Sequence, residues 1–143
     1  MILIVSMVLC FICKNHKSSD DHLYSAIVTT GGVGAWRSFE VLRENGSYWC
    51  SLPDLPDDRL DHSQSGLMSC GGGDDTMTSC VTFSDGLWLV SHQLQNYRKG
   101  HSSWMSQHGV MLLGGVYSES QNTTEILTSD GGSIPGFTLK YST

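Results

Sequence analysis

Three short apolar stretches of this chain end in paired glycines: Ile27-Val28-Thr29-Thr30-Gly31-Gly32, Leu67-Met68-Ser69-Cys70-Gly71-Gly72 and Val110-Met111-Leu112-Leu113-Gly114-Gly115. The pairs are spaced by 40 and 43 residues, which marks an internal repeat and restricts the fold to architectures built from one recurring unit. A loop of five to seven residues follows each pair and leads into a second strand-like run, Ser38–Leu42, Ser79–Phe83 or Thr123–Leu127. Turn residues come next, at Glu44-Asn45-Gly46, Ser84-Asp85-Gly86 and Ser129-Asp130-Gly131. Asn-Gly and Asp-Gly suit tight hairpins because both residues accept positive φ. An aromatic strand closes each unit, with Trp49, Trp88 and, in the third copy, Phe137 in place of Trp.

The connections between units repeat as well. Arg59-x-x-His62-Ser63 matches Arg98-x-x-His101-Ser102, and His22 and His62 each stand nine residues before their glycine pair. In the third copy that distance is 13, which predicts a longer loop there. Solenoid units of similar length are mostly helical, and no stretch here carries an apolar period of 3.6 residues. Four short strands in a unit of about 40–50 residues describe a propeller blade. The predicted fold is therefore all-β, with four-stranded antiparallel blades in an incomplete ring.

Composition excludes some partners. Eight basic against 14 acidic residues give a net charge of −6 with no basic cluster, so neither nucleic acid nor an anionic membrane surface is a fitting partner. Met1–Cys13 is an uncharged apolar run ended by Lys14-Asn15-His16-Lys17. It is shorter than the ~20 residues of a membrane-spanning helix and has the length of a secretory signal core. Residues 1–19 are accordingly read as a cleaved signal, with a short buried strand as the structural alternative. Cys10 and Cys13 would leave with it. Cys50, Cys70 and Cys80 remain, and hairpin-related strands on either side of a Gly-rich turn would bring Cys70 and Cys80 together as a disulfide. Asn45-Gly46-Ser47 and Asn122-Thr123-Thr124 are N-glycosylation tripeptides, and with the leader they favour an extracellular protein.

Taken together, the glycine pairs, the following strand, the turn with its Trp and the Arg-x-x-His connection resemble kelch repeats over residues 22–141. The units run about 22–61, 62–100 and 101–143, within a partial kelch-repeat region of 20–143. Val41, Phe83 and Ile126 stand where such repeats usually carry a Tyr. The resemblance implies a β-propeller of six or seven blades, of which this chain holds about three. Ending directly after a strand suggests either a truncated product or a ring completed by self-association.

No catalytic chemistry is expected. The repeated Gly31, Gly32, Gly71, Gly72, Gly114 and Gly115, with Trp49, Trp88, Arg59, His62, Arg98 and His101, are read as structural positions. Asp61-His62-Ser63 contains the residue types of a hydrolase triad, but neighbours in an extended chain point to opposite faces. Gly31-Gly32-Val33-Gly34 and Gly71-Gly72-Gly73 lack the Lys-Ser/Thr and helix of a phosphate loop. Some kelch-like propellers are copper radical oxidases, yet Tyr24, Tyr48, Tyr97, Tyr117 and Tyr141 match no such ligand set, so no metal or other cofactor is assigned. The expected role is a secreted scaffold that binds a protein or glycan through loops, with Trp36, Asp74 and Asp75 as candidate contacts. The competing readings are part of a galactose-oxidase-like copper enzyme whose metal site lies in missing blades, and an intracellular kelch adaptor.

Overall fold

The computed structural model describes residues 26–31, 34–43, 49–73, 78–107, 109–116 and 120–140. Among them there are eleven strands and no helix: β1 (Ala26–Thr30), β2 (Phe39–Arg43), β3 (Trp49–Ser51), β4 (Ser63–Ser65), β5 (Met68–Cys70), β6 (Ser79–Ser84), β7 (Leu87–Gln93), β8 (Ser102–Ser106), β9 (Gly109–Leu113), β10 (Thr123–Leu127) and β11 (Ser133–Thr138). They form three antiparallel sheets in simple up-and-down order, β1-β2-β3, β4-β5-β6-β7 and β8-β9-β10-β11, none closed into a barrel. The protein is thus all-β, built from blade-like sheets that do not complete a ring. The second and third sheets have four strands. In the first, the strand matching β4 and β8 would fall before Ala26, outside the described residues, as do the proposed signal at 1–19, Gly32 and His22.

Backbone hydrogen bonds repeat with the sequence. Gly31 N donates to Ser38 O, Gly71 N to Ser79 O and Gly114 N to Thr123 O, at 2.8, 3.1 and 3.0 Å. Likewise Leu55 N, Leu94 N and Leu139 N donate to Arg37 O, Thr78 O and Asn122 O. These six bonds pin the start of the third strand of each unit to the glycine before it and to the connection after the fourth strand. The hairpin β6–β7 turns at Asp85 and Gly86, with φ of 53° and 84°, as a two-residue turn that matches strand twist requires. At the β10–β11 turn, Asp130 Oδ1 accepts from the Thr128 hydroxyl and the Gly132 N–H.

The third unit differs from its expectation. Its four extra residues do not lengthen a loop; they extend the first hairpin, whose strands have five residues each in β8 and β9 but three each in β4 and β5. Two residues added to each strand preserve the pleat, so every side chain keeps its face. A bulge also recurs, between Cys80 and Val81 where β6 meets β7 and between Thr123 and Glu125 where β10 meets β11. The Pro135 ring sits on β11, an edge strand, where a missing N–H is tolerated.

Two apolar cores lie between the sheets. The first contains Phe39, Val41 and Leu52 from one side and Phe83 from the other, with Val28, Leu67 and Trp88 packed against it. The Phe39, Phe83 and Trp88 rings meet edge to face or tilted, with centroids 4.8–5.3 Å apart, a geometry that adds about 0.5–1.5 kcal/mol per pair beyond burial. The second core contains Cys70, Cys80 and Leu94 against Val110, Leu112 and Leu127. Cys70 and Cys80 face each other across β5 and β6 and are disulfide-bonded, while Cys50 is free. The bond closes a loop of sequence separation 10, which by chain entropy stabilises the fold by about 2–3 kcal/mol.

Candidate functional site

Two arrangements gather the chemically distinctive side chains: the junctions between sheets and a cleft on the loop between β1 and β2. At each junction an arginine is wholly buried, with no exposed side-chain surface on Arg59 or Arg98. Arg59 Nη1 donates to the carbonyls of Gly71 and Ser79, at 3.0 and 2.8 Å, and Nη2 to the Ser79 hydroxyl. Arg98 repeats this on the next sheet, with Nη1 donating to Gly114 O and Thr123 O and Nη2 to Thr123 Oγ1. A planar guanidinium offers five donors in a fixed fork, which suits it to tie a glycine turn to the following strand.

The two junctions handle the buried charge differently. Arg98 Nε donates to Glu125 Oε2 at 2.8 Å, and Glu125 is itself buried. Among the described residues Arg59 has only the exposed Asp57, at 4.0 Å, and its Nε is buried without a partner. Burial accordingly lowers the Arg59 pKa, only partly opposed by Asp57. Glu125 was visible in the sequence as part of the strand-like run Thr123–Leu127 and carried no assigned role. A carboxylate inside such a run, on a unit that receives a repeated arginine, is the signal that identifies it.

The histidines of the connections lean on the preceding sheet. His62 Nδ1 donates to Arg59 O at 3.0 Å, and its Nε2 lies 2.6 Å from Thr30 Oγ1. His101 Nε2 shares a 2.7 Å hydrogen bond with Ser63 Oγ, while its Nδ1 is buried without a partner among the described residues. The glycines make room for them. A Cβ on Gly31 would lie 2.7 Å from both Arg59 O and His62 Cε1, and one on Gly71 would lie 2.4 Å from Arg98 O and 2.9 Å from His101 Cε1. The close approach is therefore to the next connection. Gly72 is equally confined, by His62 and Leu60.

Burial, then the nearby Arg98 and His62, push the His101 pKa down to about 4 from its ordinary 6.5. Burial lowers His62 too, partly offset by its bond to Arg59 O. An unfolded chain binds a proton at His101 below pH 6.5 that the folded chain resists until about pH 4. Stability should therefore be full above pH 6.5 and fall through that window, by about 3 kcal/mol for this group. Urea midpoints measured at pH 7, 5.5 and 4.5 test this. His101→Gln should show a shallower decline, and parallel profiles for the two proteins would disprove the assignment.

The second arrangement is a shallow open cleft of about 470 Å³ lined by Gly34, Ala35, Trp36, Arg37, Ser38, Asp54 and Asp58. Its floor is fixed by the connection Leu52–Asp58. Leu52 and Leu55 are buried, Leu55 N donates to Arg37 O, and Arg37 Nε returns a bond to Leu55 O at 2.7 Å. Arg59 N donates to Trp36 O, and Trp88 Nε1 to Pro53 O. Asp54, Asp57 and Asp58 stay exposed, and the Trp36 side chain is 48% exposed at the rim. Apolar anchors below and polar tips above follow from the Leu-Pro-Asp-Leu-Pro-Asp-Asp order, in which each leucine enters the core and each aspartate faces water.

Other candidate residues fall elsewhere. Asn122 is exposed in the turn before β10, whereas Asn45, Asp74 and Asp75 lie outside the described residues. Trp49 and Trp88 occupy matching places, paired across the hairpin with Leu42 and Phe83, yet Trp88 packs into a core while Trp49 is 45% exposed. Gly115, like Gly114, has a positive φ. Among the described residues no three His, Cys, Asp or Glu side chains are grouped to hold a metal ion. No model of a known protein family matches the chain, and no curated protein is significantly similar to it.

Proposed function

We propose that this chain is part of a secreted kelch-type propeller that binds a protein or glycan on its loops and catalyses no reaction. The observation that carries the reading is the cleft at Trp36: a half-exposed indole and two exposed carboxylates on a backbone tied down from beneath. Loops held by rigid sheets are where binding residues concentrate, and Trp is enriched among interface anchors. The kelch assignment is supported by the repeat of sheet, glycine turn and arginine junction. Secretion is supported by the Cys70–Cys80 disulfide. Exposed Asn122 fits a glycan acceptor in the same compartment. A binding role is further supported because His62 and His101 are engaged in holding sheets together.

The test is to screen the oxidised chain against a glycan array and a panel of extracellular proteins, then to repeat the measurement on Trp36→Ala and Asp58→Asn. A hot-spot Trp contributes about 2 kcal/mol or more, so Trp36→Ala should weaken the captured ligand by about 30-fold or more. Its urea midpoint should be unchanged. Full binding by both variants would place the ligand elsewhere.

A further inference from the structure

The cleft at Trp36 is rigid before any ligand arrives. Residues Ala35–Ser38 form a turn closed by the Ser38 N–H bond to Ala35 O at 3.0 Å, which puts Trp36 and Arg37 at its two corners. The bonds from Arg59 N to Trp36 O and from Leu55 N to Arg37 O hold both corners against the following connection. On that connection Pro53 precedes Asp54, and Pro56 precedes Asp57 and Asp58. Each proline ring fixes its own φ and keeps the residue before it extended. Trp88 Nε1 bonds Pro53 O from the neighbouring sheet, and Leu52 and Leu55 are buried beneath. Little backbone ordering is left for a ligand to impose, which is the condition for a shallow site to bind.

The charge around the cleft is one-sided. Asp54 and Asp58 are exposed in its lining, and neither is ion-paired among the described residues. Asp57 beside them is exposed as well, 4.0 Å from an Arg59 whose Nη groups already serve Gly71 and Ser79. Arg37, the cation of the lining, is bonded through Nε to Leu55 O and pairs with none of the three. The half-exposed Trp36 indole adds to this, because the face of its ring is the negative side of a quadrupole and attracts cations. Ring and carboxylates therefore favour the same ligand, a positive charge carried on a flat group. A neutral sugar would stack on the indole but leave the carboxylates unmatched, and an acidic glycan would be repelled.

We propose that the Trp36 cleft takes an arginine side chain of a protein partner, its guanidinium over the indole and its N–H groups toward Asp54 and Asp58. A guanidinium is the fitting cation because it is planar, stacks on an aromatic face and donates in its own plane at the same time. The volume of about 470 Å³ is within the range of sites that enclose a small ligand. This proposal rests on the loop-binding reading above and names its partner by charge.

The experiment follows the Trp36 indole N–H resonance of the oxidised chain, assigned by its loss in Trp36→Ala, while three test ligands are added in turn. They are a peptide of alternating glycine and arginine, the same peptide with citrulline for arginine, and methyl β-glucoside. Citrulline keeps the shape of arginine and removes its charge. The arginine peptide should shift the resonance saturably, and the citrulline peptide and the glucoside should not. Asp54→Asn combined with Asp58→Asn should raise the dissociation constant about fivefold or more, the combined effect of two exposed ion pairs. Salt raised from about 0.05 to 0.5 M should weaken the wild type more than this variant. Both aspartates are exposed, and an unchanged urea midpoint shows that the variant folds. Equal binding of the citrulline peptide overturns the proposal, as does an arginine peptide that leaves the resonance in place. If the screen on extracellular proteins and glycans still yields a ligand that Trp36→Ala loses, only the cationic partner is overturned. If Trp36→Ala binds fully there, the cleft and its partner fall together.

Discussion

Arg98→Met is expected to destabilise the protein by about 3–5 kcal/mol, the range found when one partner of a buried ion pair is removed. The substitution strips donors from Gly114 O, Thr123 O and Thr123 Oγ1 together and leaves Glu125 buried without its cation. At a urea slope of about 1.5 kcal/mol/M the midpoint should fall by about 2–3 M, a large part of the stability of most domains. Arg98→Lys keeps the charge but not the fork, since an ammonium cannot serve Nε and both Nη positions at once. It should fall between the two. Adding Glu125→Leu to Arg98→Met removes the stranded carboxylate and should recover part of the loss. A single variant within about 1 kcal/mol of wild type would show that the buried pair contributes no more than an ordinary hydrogen bond.

Gly71→Ala should cost at least about 3 kcal/mol, because two penalties add: a positive φ for a residue with a Cβ, and overlap with a packed connection. The added atom would lie 2.4 Å from a backbone carbonyl, Arg98 O, and 2.9 Å from the His101 ring. Neither can swing away without breaking the Gly72 N–H bond to Arg98 O or the His101 bond to Ser63. Gly114→Ala is the matched control. Its φ is equally positive, but nothing lies closer than 3.5 Å, so only the backbone penalty of about 1–2 kcal/mol is expected in dilute solution. Thermal or urea unfolding of the two proteins reads the difference directly. Equal losses would mean that the close fit over Gly71 contributes nothing.

The local elements were legible because they depend on neighbours in the chain. Asp85-Gly86 takes positive φ at both residues, and Gly131 does so after Asp130; the glycine pairs end β5 and β9 because a positive φ stops a strand. The recurrence of a strand-like run after each glycine pair put β2, β6 and β10 within a residue of where the structure has them. Cys70 and Cys80 were suggested as a pair because a hairpin register was already implied. The fourth strand of the first unit and the acidic pair Asp74-Asp75 fall outside the described residues, and the 13-residue spacing before Gly114 lengthened strands where a longer loop was expected.

The candidate site was less legible. Trp36 was recognisable as a residue at a loop tip, but its surroundings, Asp54 and Asp58, come from the following connection. The bonds between Leu55 and Arg37, with that from Arg59 N to Trp36 O, bring the two segments together. Arg98 and Glu125 are 27 residues apart and belong to different units, so nothing local couples them. The sequence alone therefore determined the repeat, the strands and the turns, which follow from φ preference and side-chain alternation over a few residues. Tertiary structure decided which arginine received a carboxylate, how far the proton affinity of His62 and His101 fell and which tryptophan stayed in water. Those outcomes depend on how much solvent a neighbouring sheet removes, and that is a property of the stacked sheets.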